Sequence, residues 1–473
     1  MSKLPCVSRA ESLRVLLTIA WGFFGIAPAF AAQSIVSVTL EDAWRMGLRD
    51  GFAIASARDS LRAAEIGVFQ ARSRFLPKVT PSFFNGQNER GWSIGALQTL
   101  PWLGTEVRAD RSTRTYEGIL TPAARITDTS VTISQPLRAL GPNASLYDLR
   151  NARRAREAQE RSLILTKQRY LVEIARAHYQ ALAQRELLLV AKQSAERSVA
   201  LRKASEARME VGLSNKLDVY RAQLSEAQAD QSMVSAETSL QGAIERFRFL
   251  LGRSPMDPIE PAPADIKEPF VEDLGPVDTL VETALASRLD LDEVREQIDD
   301  ARRAASLSRQ NLLPDMSLNL RFTEQKGSGF SGPLSTTNRR WETFVQASMP
   351  LERAGDIARL QLSNLEVASR ERNYAQRKYE VESEVRSAHR DLIGLSRSIA
   401  TQKGAVEIAG EQLRLANLRY QRGLASNFDV VDAEGSLLAV RSSLVQLLAA
   451  YQVARLDLER VIGVMNVNLE PLP

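Results

Sequence analysis

The stretch that decides the fold spans residues 420–463 and reads YQRGLASNFDVVDAEGSLLAVRSSLVQLLAAYQVARLDLERVIG. Residues 209–252 are a near copy, MEVGLSNKLDVYRAQLSEAQADQSMVSAETSLQGAIERFRFLLG, which a shift of 211 positions reaches without a gap. The shift places Gly212 on Gly423. Because both the turn and the helix after it match, an internal duplication explains the pair better than two unrelated coiled-coil helices.

Both copies carry apolar residues at alternating steps of three and four, which is a heptad pattern. Such a pattern places an apolar stripe along one side of a helix and indicates left-handed coiled-coil packing. The stripe in the later copy is formed by Leu437, Val440, Leu444, Leu447, Tyr451, Ala454, Leu458 and Val461, and that in the earlier copy by Ala229, Met233, Ala236, Leu240, Ala243, Phe247 and Leu250.

Residues 1–31 have the three parts of a secretory signal peptide. A basic start precedes the mostly apolar residues 15–30, and Ala29-Phe30-Ala31 fits a cleavage site. We therefore predict a mature chain that begins near residue 32. A retained membrane anchor is the alternative, and the small residues at the cleavage point argue against it.

Composition excludes several classes of function. Cys6 is the only cysteine and lies in the predicted signal, so the mature chain would hold no disulfide, thiolate metal site or catalytic thiol. The net charge of +4 in 473 residues does not favour nucleic-acid binding. After the signal no run of 18 apolar residues occurs, which argues against a membrane-spanning helix but leaves short alternating barrel strands possible.

Each half of the mature chain is predicted to begin with a helix that a proline ends. These helices cover residues 39–76 and 277–313, and a shift of 237 superposes Leu76-Pro77 on Leu313-Pro314. We therefore predict a first structural repeat at 32–252 and a second at 277–463. A linker with six prolines, 253–276, joins the repeats, and residues 464–473 form a tail.

After each proline the pattern changes to partial alternation of polar and apolar residues. Residues 79–88 and 125–137 alternate within the predicted hairpin 78–137, and residues 316–322 and 341–349 alternate within the predicted hairpin 315–351. The regions between them, 89–124 and 324–340, are rich in Gly, Ser, Thr and Asn and are predicted to be loops. This gives four strands per chain.

The longest predicted helices lack proline and cover residues 144–211 and 355–420. At 1.5 Å per residue each would span roughly 100 Å, which no globular domain requires. The fold class is therefore mainly α with a small β part. Four strands cannot close a barrel that needs about eight, so the chain is expected to use strands of other copies; three copies would supply 12.

The order of helix, strand pair, very long helix, glycine turn and heptad helix, present twice, resembles the TolC family of outer-membrane efflux proteins. The resemblance is carried by Val211-Gly212-Leu213-Ser214, by Arg422-Gly423-Leu424, and by the Leu-Pro and Pro-Leu pairs that flank the strands. It implies a homotrimer with a 12-stranded barrel in outer-membrane lipid and a coiled-coil α-barrel through the periplasm. It also implies docking of a periplasmic adaptor on the two turns, with an inner-membrane pump behind it.

The aspartates after the turns have two interpretations. Asp218 and Asp429 each follow a potential N-cap residue by three positions, which favours a capping role. The resemblance instead implies that Asp429 and Asp432 line the periplasmic aperture, where three copies would form an acidic ring able to select ions. Arg422 or Arg419 is then a possible closing partner, and a solvated helix face remains an alternative for Asp432.

The remaining features indicate no enzyme, cofactor or metal. His178 and His389 are the only histidines, at equivalent positions, and are expected to lie on helix surfaces; two imidazoles without thiols make a poor metal site. The sequence therefore predicts a duct for efflux or type I secretion of small molecules, metal ions or polypeptide. The alternative is an exported coiled-coil scaffold without a pore.

Overall fold

A computed structural model describes residues 36–101, 104–116, 124–137, 144–263, 275–328 and 336–465. The predicted signal peptide, 1–31, and residues 466–473 of the predicted tail lie outside these ranges. The helices and strands of the described chain, in order, are β1 (Val36–Val38), α1 (Leu40–Asp50), α2 (Phe52–Ser73), β2 (Lys78–Asn85), β3 (Glu89–Thr99), β4 (Glu106–Tyr116), β5 (Ala124–Pro136), α3 (Ala144–Glu210), α4 (Lys216–Leu250), β6 (Ile259–Pro261), α5 (Val277–Ser287), α6 (Leu289–Gln310), β7 (Asp315–Ser328), β8 (Thr336–Ser348), α7 (Ala354–Gln421) and α8 (Asn427–Ile462).

The two long predicted helices are confirmed. α3 has 67 residues and α7 has 68. Each turns back at a glycine and packs along its heptad helix, α3 on α4 and α7 on α8, while α3 also contacts α8. None of the heptad side chains is exposed, so the apolar stripe is the packing surface that the pattern predicts.

The helices predicted at 39–76 and 277–313 are each two helices, and this part of the prediction is wrong. One extended residue interrupts each of them: Gly51, with φ −65° and ψ 132°, and Arg288, with φ −77° and ψ 119°. These residues are equivalent under the shift of 237. A single extended residue leaves the apolar pattern on either side intact, so the pattern gave no sign of the break.

Equivalent core clusters form beside the two breaks. In the first half Ile54, Tyr170, Ile174 and Leu250 pack together, and in the second half their equivalents do the same. Those equivalents are Leu291, Val381, Val385 and Val461. The duplication read from the sequence therefore exists in three dimensions.

The first cluster accommodates a larger side chain because two glycines face it. A Cβ on Gly51 would lie 2.5 Å from Cε1 of Tyr170, and a Cβ on Gly47 would lie 2.3 Å from Cδ1 of Ile174. The hydroxyl of Tyr170 donates a hydrogen bond of 2.6 Å to the Leu250 carbonyl oxygen. In the second half, where Val381 replaces the tyrosine, Ala284 replaces Gly47.

The strand prediction is too low, because β2, β3, β4, β5, β7 and β8 form one antiparallel sheet of six strands in that order. Residues 89–124, predicted as a loop, contain β3 and β4. The Gly, Ser and Thr residues of these strands, among them Gly91 and Gly95, are what favours a loop in the sequence. Gly91 has a packing reason instead, since a Cβ there would lie 2.6 Å from the ring of Phe84.

The register separates the side chains of this sheet into two faces. One face is mainly polar, and its aromatic exceptions Phe84 and Phe344 are covered by the guanidinium groups of Arg114 and Arg321. On the other face one row of residues is apolar in all six strands, and further apolar residues lie on either side of it. The apolar members of this face are Val79, Pro81, Phe83, Trp92, Ile94, Ala96, Val107, Ala109, Val131, Ile133, Met316, Leu318, Leu320, Phe322, Trp341, Val345 and Ala347.

The turns of the first half lie at opposite ends of the sheet. β2 leads away from the helices, so the turn at Gly86, where its N–H bonds Glu89 O at 2.7 Å, lies at the far end. β3 returns, so the turn from Leu100 to Thr105 lies at the helix end, with Gly104 at φ 66°. A positive φ of this kind favours glycine.

The predicted linker 253–276 contains a strand. β6 pairs in parallel with β1, with Val36 opposite Ile259. Arg185 of α3 donates to Pro261 O at 3.2 Å and pairs with Glu260 at 2.9 Å. The described part of the linker is therefore fixed against the helices, although its prolines prevent a helix there.

Candidate functional site: the two helical turns

Each half ends its long helix in a glycine turn. Gly212 follows α3 with φ 77° and Gly423 follows α7 with φ 74°. The leucine after each glycine donates its backbone N–H to the carbonyl oxygen five residues earlier, at 2.8 and 2.9 Å. Both turns therefore end their helices in the same way, and the glycines supply the left-handed residue that this cap requires.

Apolar side chains at both turns face outward. Val211 is 68% exposed, Leu213 70% and Leu424 68%, while Arg422 is exposed and Ser214 is half-buried. Isolated exposed apolar side chains are common, but these three lie together at the ends of two hairpins, and no described residue covers them.

The two equivalent aspartates, Asp218 and Asp429, differ in whether their carboxylate caps the helix. The carboxylate of Asp429 accepts the backbone N–H of Ser426 at 2.9 Å and so caps α8. In the first half the cap is the side chain of Asn215, which accepts the backbone N–H of Asp218 at 3.0 Å. The Asp218 carboxylate instead accepts the Ser214 hydroxyl at 3.1 Å. Asp429 thus has the structural role that its spacing favours.

A buried polar seam joins the two hairpins just behind the turns; we call it the closed seam. Ser205 of α3 lies 3.0 Å from the Tyr420 hydroxyl and accepts a 3.1 Å hydrogen bond from the Asn427 amide. The same amide donates to Asp218 O at 2.7 Å. Ser205 and Asn427 are almost fully buried, so breaking these bonds would leave polar atoms without partners.

Two arginines of α3 extend the closed seam. Arg208 donates to Tyr420 O, and its guanidinium lies 4.6 Å from the centre of the Tyr420 ring. Arg197 contacts the buried carboxylate of Glu434 at 2.7 Å. These residues border a cavity of about 570 Å³ between the hairpins, which leaves room for the hairpins to change their packing.

Asp429 and Asp432 lie on the opposite side of the α7–α8 hairpin, in an open groove of about 660 Å³. Both carboxylates are exposed. Glu407, Glu411 and Arg419 share the groove. Within the described residues neither Arg419 nor Arg422 forms an ion pair, so the closing partnership suggested for them is not formed in a single chain.

The open groove repeats, in the second half, the α3 wall of the closed seam. Under the shift of 211, Arg419 is the equivalent of Arg208, and Ala416 is the equivalent of Ser205. Five positions that line the closed seam have equivalents that line the open groove. The pairs are Arg197 and Ile408, Ala200 and Glu411, Leu201 and Gln412, Ala204 and Leu415, and Arg208 and Arg419.

Sequence reasoning missed the polar residues of the closed seam. Tyr420 and Asn427 lie inside the stretch that defines the repeat, but the repeat is recognised from the positions that match, and these two do not. Their equivalents are Met209 and Lys216, so the difference between the copies was the available signal.

The two histidines differ, and the prediction that both lie on helix surfaces is wrong for His178. His178 is 4% exposed and packs against the ring of Phe247 at 5.7 Å, while His389 is half-buried. Burial, with a smaller contribution from the charge of Arg185, lowers the pKa of His178 to about 4. Within the described residues no group of three or more His, Cys, Asp or Glu side chains could hold a metal ion.

One described helix is long and apolar enough to cross a membrane by composition. It is α8, with a mean hydropathy of 1.4 over its most apolar 18 residues. The same helix packs its heptad stripe against α7. Composition alone is therefore weak evidence that it spans a membrane.

A model of the family described as outer membrane efflux protein matches residues 48–253 and 280–464. The match covers most of both predicted repeats and omits nearly all of the predicted linker 253–276. No curated protein sequence matches the chain.

Solved structures share the fold at low identity. CusC, described with a transmembrane channel, is 18% identical, with a TM-score of 0.69 over 93% of this chain and 95% of that one. The Campylobacter jejuni CmeC outer membrane channel is 14% identical, with 0.69 over 90% and 85%. VceC, an outer membrane protein of Vibrio cholerae, is 18% identical, with 0.67 over 90% and 96%.

Proposed function

Because the chain belongs to the outer membrane efflux protein family, we propose that three copies of it form one continuous duct. The family makes it a channel protein of the outer membrane that serves efflux, with its helices extended into the periplasm. The exported scaffold considered as an alternative has no comparable support. Transport through a duct requires no covalent chemistry and no cofactor from this subunit.

The open groove carries the proposal that copies assemble side by side. It repeats the wall that α3 presents to α8 inside the chain, yet none of the described residues of a single copy covers it. A second chain can cover it with its own α3–α4 hairpin, in the way that the α7–α8 hairpin covers the α3 wall. Repetition of this contact generates a ring, and the resemblance to the TolC family favours three copies.

Repeat equivalence supplies a direct test of the ring. Ser205 and Asn427 touch within one chain, and their equivalents are Ala416 and Lys216. We expect the double variant Ala416→Cys/Lys216→Cys to form disulfides between chains and to run as covalent trimers on a non-reducing gel. The matched pair Ser205→Cys/Asn427→Cys should close only within a chain. Monomers from the first variant and monodisperse monomer by light scattering would overturn the proposal.

The turns are proposed to dock a periplasmic adaptor protein, through which an inner-membrane pump delivers cargo. The exposed apolar side chains of Val211, Leu213 and Leu424 support this. The apolar tip of an adaptor hairpin could bury them without removing a charge from water. We expect Leu213→Glu and Leu424→Glu to weaken crosslinking to the adaptor in cells by about tenfold or more. Met256→Glu, exposed but distant from the turns in sequence, is the control and should leave crosslinking unchanged.

Asp429 and Asp432 are proposed to line the periplasmic aperture. Both are exposed in a single chain and lie in the open groove. In the proposed ring they would therefore lie where two chains meet, and three copies would bring six carboxylates to the opening, which favours cations. We expect Asp432→Asn to reduce cation selectivity, measured as the reversal potential of single channels in a KCl gradient. An unchanged reversal potential would remove Asp432 from the aperture. The cargo, whether small molecules, metal ions or polypeptide, follows from the pump.

A further inference from the structure

We infer that the exit barrel of this protein has 18 strands, six from each chain, and that β8 of one copy pairs with β2 of the next. The inference rests on the proposed trimer and adds its strand count, its seam and its width. The four strands per chain predicted from the sequence would give 12.

The sheet has two open edges that run in compatible directions. β2 and β8 are its outermost strands, and every neighbouring pair between them is antiparallel. Five such steps leave β2 and β8 antiparallel to each other. β8 can therefore continue into β2 of the next chain without a change of pattern. Unpaired strand edges are costly in lipid, so a membrane sheet must close in this way.

The inserted hairpin β3–β4 has the side-chain pattern of a barrel wall. Trp92 lies opposite Phe83 of β2, and Ala96 lies opposite Ala109. The row of apolar residues from Val79 to Val131 thus passes through Ala96 of β3 and Ala109 of β4 without interruption. Ile94 is 44% exposed and Phe83 84% exposed in a single chain, as expected of side chains that meet lipid.

Arg111 is a charged residue on this face, and its position fits the edge of the apolar band. In the hydrogen-bonding rows of the sheet it aligns with Thr129 and Glu324, and Glu324 aligns with Arg339. This row contains polar residues in four of its six strands. A long arginine side chain at such a margin can extend its charge to water.

The width of the helical layer agrees with six strands. α2, α3, α6 and α7 lie side by side, because ion pairs join Arg74 to Asp148, Arg154 to Asp300 and Arg302 to Glu371. Four helices at 8–10 Å spacing are about 32–40 Å wide. Six strands 4.8 Å apart and tilted by 40° are about 38 Å wide, whereas four are about 25 Å wide.

The polar face of the inserted hairpin would line the exit. It carries Arg108, Asp110 and Arg114, with Arg108 3.8 Å from Asp110 and Arg114 3.7 Å from Glu89. Because these pairs join basic to acidic side chains, the wall they form is polar and has little net charge. The exit would be water-filled, and it would be about 36 Å across between backbones, against about 24 Å for 12 strands.

Electron cryo-microscopy of the purified trimer in lipid nanodiscs tests the inference directly. We expect 18 strands and a backbone diameter of about 36 Å. A matched variant that lacks residues 89–116 should assemble into a trimer of 12 strands and about 24 Å. A wild-type trimer with 12 wall strands, and β3–β4 outside the wall, would overturn the inference and leave the proposed trimer intact.

Cysteine pairs between β8 of one copy and β2 of the next give a second readout. It distinguishes failure of the 18-stranded barrel from failure of the proposed trimer. Cysteines at Val79, Pro81 or Phe83 combined with cysteines at Trp341, Thr343 or Val345, all on the same face of the sheet, should include a pair that links chains into covalent trimers. The control pair Ser82→Cys/Ser93→Cys lies directly opposite within one sheet and should close within the chain. If no β8–β2 cysteine pair forms a crosslink while Ala416→Cys/Lys216→Cys still gives trimers, the pairing of β8 with β2 is contradicted and the trimer is not.

Discussion

The two halves of this chain agree in their helices and differ in their sheet strands. Ile54, Tyr170 and Leu250 find their second-half partners at the same places in the core, yet the first half supplies four strands to the sheet and the second only two. A helix packed by a heptad stripe cannot gain residues without losing its register. A sheet can accept a hairpin, because strands pair through the backbone and the neighbours move apart by two strand widths.

The largest expected loss of stability comes from the core, where the two halves carry different side chains. Phe247 is fully buried and its equivalent is Leu458. We expect Phe247→Ala to lower the free energy of unfolding by about 3–5 kcal/mol and Leu458→Ala by about 2–4 kcal/mol, because the larger side chain leaves the larger cavity. Guanidinium denaturation in detergent measures both. Phe249, 55% exposed, is the control; a similar loss from Phe249→Ala would refute this account of the core.

Burial of His178 should make the free energy of unfolding depend on pH. His178 in the folded chain has a pKa near 4 instead of 6.5 because it is buried. The unfolded chain therefore binds the proton first, and stability falls as the pH drops from about 6.5 to 4, by about 3 kcal/mol in total. His178→Leu should remove this loss, measured as the difference in unfolding free energy between pH 7 and pH 4.5. An equal loss in His178→Leu would show that this histidine is not its source.

The closed seam distinguishes Asn427 from its equivalent Lys216. Asn427→Ala removes the donor to Ser205 and to the Asp218 carbonyl oxygen, and we expect a loss of about 1–3 kcal/mol because these atoms are buried. Lys216 is exposed, and Lys216→Ala should change stability by less than about 0.5 kcal/mol. Equal effects in thermal unfolding would show that the seam does not hold the hairpins together.

The smallest effect concerns the carboxylates after the turns. Asp429→Ala should cost about 0.5–1 kcal/mol through loss of the cap on Ser426. Asp432→Arg places the first-half residue, Arg221, at the equivalent position and should leave stability within about 0.5 kcal/mol. The same variant reverses the charge at the proposed aperture. A large fall in the melting temperature of Asp432→Arg would assign this residue a structural role.

The helical part of the fold could be predicted from the sequence because each signal was local. Pro77 and Pro314 end helices, Gly212 and Gly423 turn them, and the heptad gives the packed face. The breaks at Gly51 and Arg288 could not be predicted, since one extended residue disturbs no apolar period. The buried His178 could not be predicted either, because its burial depends on Phe247 from another helix.

The extra hairpin left a numerical trace in the sequence. The repeats align with a shift of 237 before the strands and 211 after them, so the first half holds 26 additional residues in between. That length fits two strands of 11 residues and a turn, as found in β3 and β4. At the turns the capping role of Asp429 could be predicted from its spacing to Ser426. It could not give the partnership of Ser205 with Asn427, which depends on contact between the two halves.

The direction of β3 determines which turns of the proposed barrel would be exposed outside the cell. In the proposed barrel, since β2 leaves the helices and β3 returns to them, the turn at Gly86 would lie on the outer surface and the turn at Gly104 would lie at the periplasmic rim. An antibody or phage that approaches an intact cell can reach the first and not the second. An epitope inserted at Gly86 would thus report surface display, whereas one at Gly104 would be recognised only after the outer membrane is opened.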